Sequence, residues 1–252
     1  MPPPIDYTVL LLLPFIAFAA YFLKAMTGFG PAIVVISLGS LMLPPQAIIA
    51  VSSVLDLIGG IVLFHRDGAK EQPRFMAVLL GAMVIGTLLG AAALRAIPPE
   101  PFKPLLGLAI LSLAIWFIFF RFHSGEDILR NELPPVCDKA DAGFSFFAGF
   151  CGGLFGISGP PIIWHLGRRY QKTAFRSILI TLFVAAAFAR VVSYSAAGLV
   201  DGRVLLYIAA SLPGLIAGLY FGRRIFFNIS ERRFSVIVGA VLLAISVRLL
   251  IR

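Results

Sequence analysis

Apolar residues in this chain come in unbroken blocks, most of them as long as the roughly twenty residues a helix needs to cross a bilayer. The blocks run over about 7–26, 46–64, 74–94, 102–120, 173–197, 204–227 and 233–251. Lipid offers no partner to backbone N–H and C=O groups, so such blocks must be helices that satisfy their own hydrogen bonds. Of the 252 residues, 60% are hydrophobic and only 13% charged, against roughly 45–50% and about 25% in a soluble domain. The expected fold is an all-α polytopic membrane protein, with one membrane domain over 1–252. The formal net charge of +9 then belongs to basic loops facing anionic lipid; the bilayer, not nucleic acid, is the partner it implies. Two cysteines are too few for a disulfide framework. The first apolar block has no basic leader and no small-residue cleavage site, so it reads as a mature helix.

One stretch breaks the pattern. Residues 150–163, FCGGLFGISGPPII, lie inside an apolar run but are built from helix breakers. A weaker copy, TGFGPA, occupies 27–32. Paired interruptions at corresponding places of two halves point to the binding site of a transporter. Each break restarts as a short helix with proline suited to its first turn, Pro31 or Pro160. Its positive dipole end and free N–H groups attract an anion. The plainer alternative for each break is a kink or a tight helix contact.

The halves align beyond the breaks. Gly30 and Pro31 fall on Gly159 and Pro160; Ala82, Gly86 and Gly90 fall on Gly214, Gly218 and Gly222; Gly107 falls on Gly239. The expected organisation is repeat 1 over about 7–120, a polar linker over 121–141, and repeat 2 over about 142–251. Charge selects the topology. If 142–170 crosses once, the loop cations split nine against ten; if it enters and leaves on one side, they split fourteen against five. Positive charge concentrates on the cytoplasmic side, so 142–170 is expected to be a re-entrant hairpin. Each repeat is then a broken hairpin plus three spans, and the second repeat is inverted. Whether 7–43 is a hairpin or a single broken span stays open.

Three charges interrupt the apolar blocks: Lys24, Asp56 and Arg190. Buried charges in a membrane are costly and mark function by default. Arg190 offers a forked donor set that matches sulfonate or carboxylate oxygens. Asp56 is a candidate proton carrier or the structural partner of Arg190. Lys24 is a cavity candidate whose plainer reading is snorkelling to the interface. The candidate substrate site comprises Thr27, Gly28, Gly30, Ala32, Ser158, Gly159, Ile162 and Arg190. Candidates for coupling or for lining the cavity are Lys24, Ser52, Ser53, Asp56, His165 and Thr181; the hydroxyls among them more often bond their own helix backbone. The three histidines have no metal-ligand spacing, and no hydrolase, zinc-protease or P-loop motif is present. No enzyme activity, metal or cofactor is expected.

The chain resembles the sulfite exporter TauE/SafE family, also called TSUP transporters. The resemblance rests on TGFGP at 27–31, LPPQAI at 43–48 leading into a serine-containing helix, FHRD at 64–67, and Gly149 followed by GLFGISGP at 153–160. The family usually shows Gly-x-Gly-Gly-Gly before its proline; here the first copy is reduced and Ser158 interrupts the second. The resemblance implies a multi-pass inner-membrane transporter of sulfite, sulfonates or related small organic anions. Alternating access is the expected mechanism and a passive anion channel the alternative. Direction of transport, proton or ion coupling and assembly as a homodimer stay open.

Overall fold

The computed structural model describes residues 7–27, 31–68, 73–119, 138–167, 172–224, 242–243 and 245–247. Among them are nine helices and no strand: α1 (Tyr7–Thr27), α2 (Pro31–Gly39), α3 (Pro45–Asp67), α4 (Pro73–Ala96), α5 (Pro99–Phe119), α6 (Lys139–Phe155), α7 (Gly159–Leu166), α8 (Lys172–Ala196) and α9 (Gly202–Arg224). Five contain stretches long and apolar enough to span a membrane: Tyr7–Ala25, Pro45–His65, Arg74–Ala96, Ala174–Ala196 and Gly202–Gly222. Leu11, Phe15, Phe188 and Ile216 stand exposed on their outer faces, as lipid-facing side chains must. Within 225–252 only residues 242–243 and 245–247 are described, all helical. Most of the 121–141 linker, Arg168, Arg169 and Arg232 lie outside the described residues, so much of the loop charge does too.

Helix ends follow the local chemistry. Proline, which needs no N–H at a helix start, opens α2, α3, α4 and α5. Asp138 and Asp141 form a capping box that starts α6 at Lys139, inside the stretch whose polarity reads as linker. The backbone N–H of Asp138 donates to Asp141 Oδ2 at 2.8 Å. Asp201 accepts from the N–H groups of Arg203 and Val204 at the start of α9.

The second break is present: α6 stops at Phe155 and α7 starts at Gly159. The first falls between α1, which ends at Thr27, and α2, which starts at Pro31, on residues 28–30 that lie outside the described residues. Gly156 caps α6 at φ 77°, and its N–H donates to the Gly152 carbonyl at 2.9 Å. That left-handed conformation lets the chain turn without a Cβ clash. The chain then runs back. His165 Nε2 lies 2.7 Å from Asp141 Oδ1, and the Phe144 ring stacks on His165 and packs against Trp164. α6 and α7 therefore form a hairpin with its tip at 156–158. α2 packs on α1 and α3.

Glycine seams hold the hairpin arms. A Cβ on Gly86 would strike the Phe146 carbonyl and one on Gly90 the Phe150 carbonyl; in return, Gly149 and Gly153 lie on the carbonyls of Met83 and Thr87. α4 and α6 thus run side by side in one direction at near backbone contact. α9 does the same to α1, with Gly214, Gly218 and Gly222 lying on the carbonyls of Pro14, Phe18 and Phe22. In lipid such close approach supplies dispersion contact where no hydrophobic drive exists between helices. α3 and α8 cross at the centre, where Gly60 meets Val184.

Candidate functional site

A cavity of about 40 Å³ lies where the two breaks meet, room for roughly three waters. α2 contributes its first turn, Pro31, Ala32 and Ile33. The α6–α7 tip contributes Gly156, Ile157, Ser158 and Gly159. Phe183 of α8 closes one wall, and the three buried charges complete the lining: Lys24 from α1, Asp56 from α3 and Arg190 from α8. Those three residues are 5%, 7% and 4% exposed.

Asp56 sits between the two cations. Its Oδ2 accepts from Arg190 Nη2 at 3.2 Å. Its Oδ1 lies 3.6 Å from Lys24 Nζ and accepts from the Tyr21 hydroxyl at 3.0 Å. Lys24 Nζ also donates to the Asp56 carbonyl at 3.3 Å. Arg190 Nη1 reaches the Gly156 carbonyl at 3.4 Å and Ser158 Oγ at 3.3 Å. These contacts are longer than the about 2.7–2.9 Å of tight charge-assisted bonds. Arg190 Nε is buried and has no partner among the described residues. With all three groups ionised, the site holds two positive charges against one negative.

The expected residues divide clearly. Ala32, Ser158, Gly159, Arg190, Lys24 and Asp56 all line the cavity. Lys24 does not snorkel; burial against Tyr21 and Asp56 holds it inside. Thr27 ends α1, its side chain outside the described residues, as are Gly28 and Gly30. Ile162 is fully buried in the apolar cluster between α4, α6, α7 and α8. Ser53 donates to Ala50 O and Thr181 to Ser177 O, each on its own helix. Ser52, one turn before Asp56, is buried with no hydroxyl partner among the described residues. Ile162, Ser52, Ser53, Thr181 and His165 are not among the described residues that line the cavity. His165 instead pairs with the fully buried Asp141 at the open end of the hairpin.

Among the residues that the sequence reading did not place at the site are Tyr21, Tyr194, Phe183 and Asp141, with Ile33, Gly156 and Ile157 of the cavity lining. Tyr194 donates to the Gly153 carbonyl at 2.6 Å, tying α8 to the hairpin. A signal existed for the two tyrosines. Tyr21 precedes Lys24 by three residues and Tyr194 follows Arg190 by four, spacings that put each hydroxyl on the face of a buried charge. Gly152 also belongs to the site, since a Cβ there would strike Ser158 Oγ and come within 3.4 Å of Arg190 Nη1.

The family model for sulfite exporter TauE/SafE proteins matches residues 13–249. A protein of Cupriavidus necator described as a probable sulfite/organosulfonate exporter TauE is 26% identical over 241 residues, 88% of this chain and 88% of its own length. No solved structure matches. The match extends through both breaks and every cavity residue, and the chain belongs to the sulfite exporter TauE/SafE family of multi-pass membrane transporters.

Proposed function

We propose that the protein is a secondary transporter that moves sulfite or small organosulfonate-like anions across the inner membrane by alternating access. The anion sits in the cavity between the breaks. Arg190 and Lys24 supply charge, Ser158 a hydroxyl, and the start of α7 a positive dipole end. Pro160 and Pro161 remove two of the N–H groups at that start, so side chains carry more of the recognition than the backbone does. One observation carries this reading: a buried guanidinium lines a cavity with its Nε unpartnered among the described residues and its remaining bonds long. A group that costly to bury is poised for a ligand.

Helix directions favour two inverted halves. α9 runs with α1 and α4 runs with α6. Short links of 68–72 and 197–201 make α3 oppose α4 and α8 oppose α9. α3 and α8 oppose each other, since Asp56 meets Arg190 while Gly60 meets Val184. The α1 and α6 arms then point in opposite directions and bring their breaks to one level, the arrangement alternating access requires.

Flux of sulfite and methanesulfonate in proteoliposomes tests the reading. Wild type is expected to transport, and Arg190→Ala to lose roughly 10- to 100-fold, the worth of a charged hydrogen-bonding group. Wild-type flux in a folded Arg190→Ala protein sinks the substrate role. A passive channel instead predicts flux that rises linearly with voltage and shows no counter-transport of a second anion.

A further inference from the structure

We propose that Asp56 is a built-in stand-in for the substrate's anionic head, and that substrate enters only as Asp56 takes up a proton. This rests on the reading of the cavity as the substrate site. The Asp56 carboxylate already occupies the position an incoming anion needs. One oxygen faces Lys24 and Tyr21 and the other faces Arg190. A sulfonate or sulfite seeking both cations meets that carboxylate at about hydrogen-bonding range, and two like charges at such separation repel strongly in a low-dielectric site.

Charge balance gives the exchange its form. With all three groups ionised before binding, the site holds Lys24 and Arg190 positive and Asp56 negative. A proton joins an Asp56 carboxylate oxygen, the Arg190–Asp56 ion pair opens, and a monovalent anion pairs with Arg190. One negative charge and one positive charge have entered together, so the net charge of the site is unchanged. The protonated carboxyl then has an O–H to donate, either to the anion or to a nearby carbonyl. The groups facing Asp56 are Tyr21 and Lys24 from α1 and Arg190 from α8. α2 presents only apolar residues to the cavity, the α6–α7 tip adds Ser158, and α5 and α9, which also touch α3, bring no titratable side chain there. Among the described residues, Asp56 is therefore the one carboxylate lining the cavity that can trade places with the substrate.

Calorimetric titration of the full-length detergent-solubilised protein with methanesulfonate tests this, because that probe's charge is constant over pH 5.5–8.5. Titrations in buffers of different ionisation enthalpy count protons. Wild type is expected to take up about one proton per anion, and its affinity to fall toward tenfold per pH unit once Asp56 is ionised in the free protein. Asp56→Asn is expected to bind at least as tightly as wild type at its best pH, with no pH dependence and no proton uptake. Wild-type binding without proton uptake overturns the exchange and leaves the substrate reading standing. Failure of wild type to bind methanesulfonate or sulfite at any pH overturns both. A pH dependence that survives in Asp56→Asn and disappears in Lys24→Met assigns the proton to Lys24 and overturns the role of Asp56. If Asp56→Asn does not fold, the count on Lys24→Met decides: about one proton per anion supports Asp56, and none assigns the proton to Lys24 and overturns the role of Asp56.

Discussion

The two breaks share a construction and differ in chemistry. Each joins a long helix to a short one that begins with or near proline, and each long arm lies on a glycine seam of a helix from the other half. At the first break the charge sits on the arm itself: Lys24 lies in the last turn of α1, where the negative end of the helix dipole favours a cation. The α6 arm carries no charge in its last turn. Its tip offers the Gly156 carbonyl and the Ser158 hydroxyl, and the cation comes from α8 as Arg190. One break thus supplies a compact ammonium and the other a socket for a planar guanidinium. The two breaks thus resemble each other in packing and differ in the polar groups they bring to the cavity.

The packing half of that comparison predicts the largest effects. Leucine at Gly153 would drive into the Thr87 carbonyl and the Ala91 N–H; loss of monodisperse, cooperatively unfolding protein is expected. Alanine at Gly86 or at its counterpart Gly218, which lie on the Phe146 and Phe18 carbonyls, is expected to cost about 1–3 kcal/mol each, read as a lowered Tm. A large drop at one seam with none at the other breaks the equivalence of the arms.

Next comes the exchange of cations. Arg190→Lys keeps the charge but loses the fork that reaches Asp56, Gly156 and Ser158 together, so anion affinity is expected to fall about tenfold or more. Lys24→Arg is expected to stay within about threefold. Equal effects in calorimetric titrations would show that both breaks read the anion as a point charge. Gly152→Ala places a methyl on Ser158 Oγ; affinity is expected to fall several-fold while Tm moves little, a pattern a purely structural glycine would reverse. Ser158→Ala removes one hydroxyl and is expected to cost about 1 kcal/mol of binding, close to fivefold in Kd. No change would leave the second break with backbone and Arg190 alone.

Much of this was legible in the sequence because lipid makes helices obligatory and proline and glycine punctuate them. Six of the seven apolar blocks, the proline starts and the interruption at 156–158 appear in the structure within a few residues of where composition puts them; the block at 233–251 and the interruption at 28–30 lie mostly or wholly outside the described residues. The start of α6 was the main displacement. Asp138 and Asp141 read as linker by polarity, yet their work is to cap a helix, and Asp141 is fully buried against His165. Polarity alone does not separate a solvated acid from a capping one. In the site, Asp56 and Arg190 stood out as charges in apolar blocks. Ser53 and Thr181 looked equally eligible and turned out to bond their own helices, since a hydroxyl finds a backbone carbonyl one turn away whatever its surroundings.

What the sequence by itself determined is local: helix, break and the presence of three charges too costly to leave unpartnered in lipid. What only the tertiary structure decided is which residues share one space. Asp56 and Arg190 are 134 positions apart, and their meeting depends on α3 crossing α8 at Gly60 and Val184. Lys24 could have reached the interface; the approach of α3, with Gly59 leaving room beside Tyr21 and Lys24, holds it inside. The physical reason is that helix periodicity specifies a face but not its neighbour. The neighbour is selected by how closely two backbones can pack, and that is a property of pairs of helices, which no single stretch of chain contains.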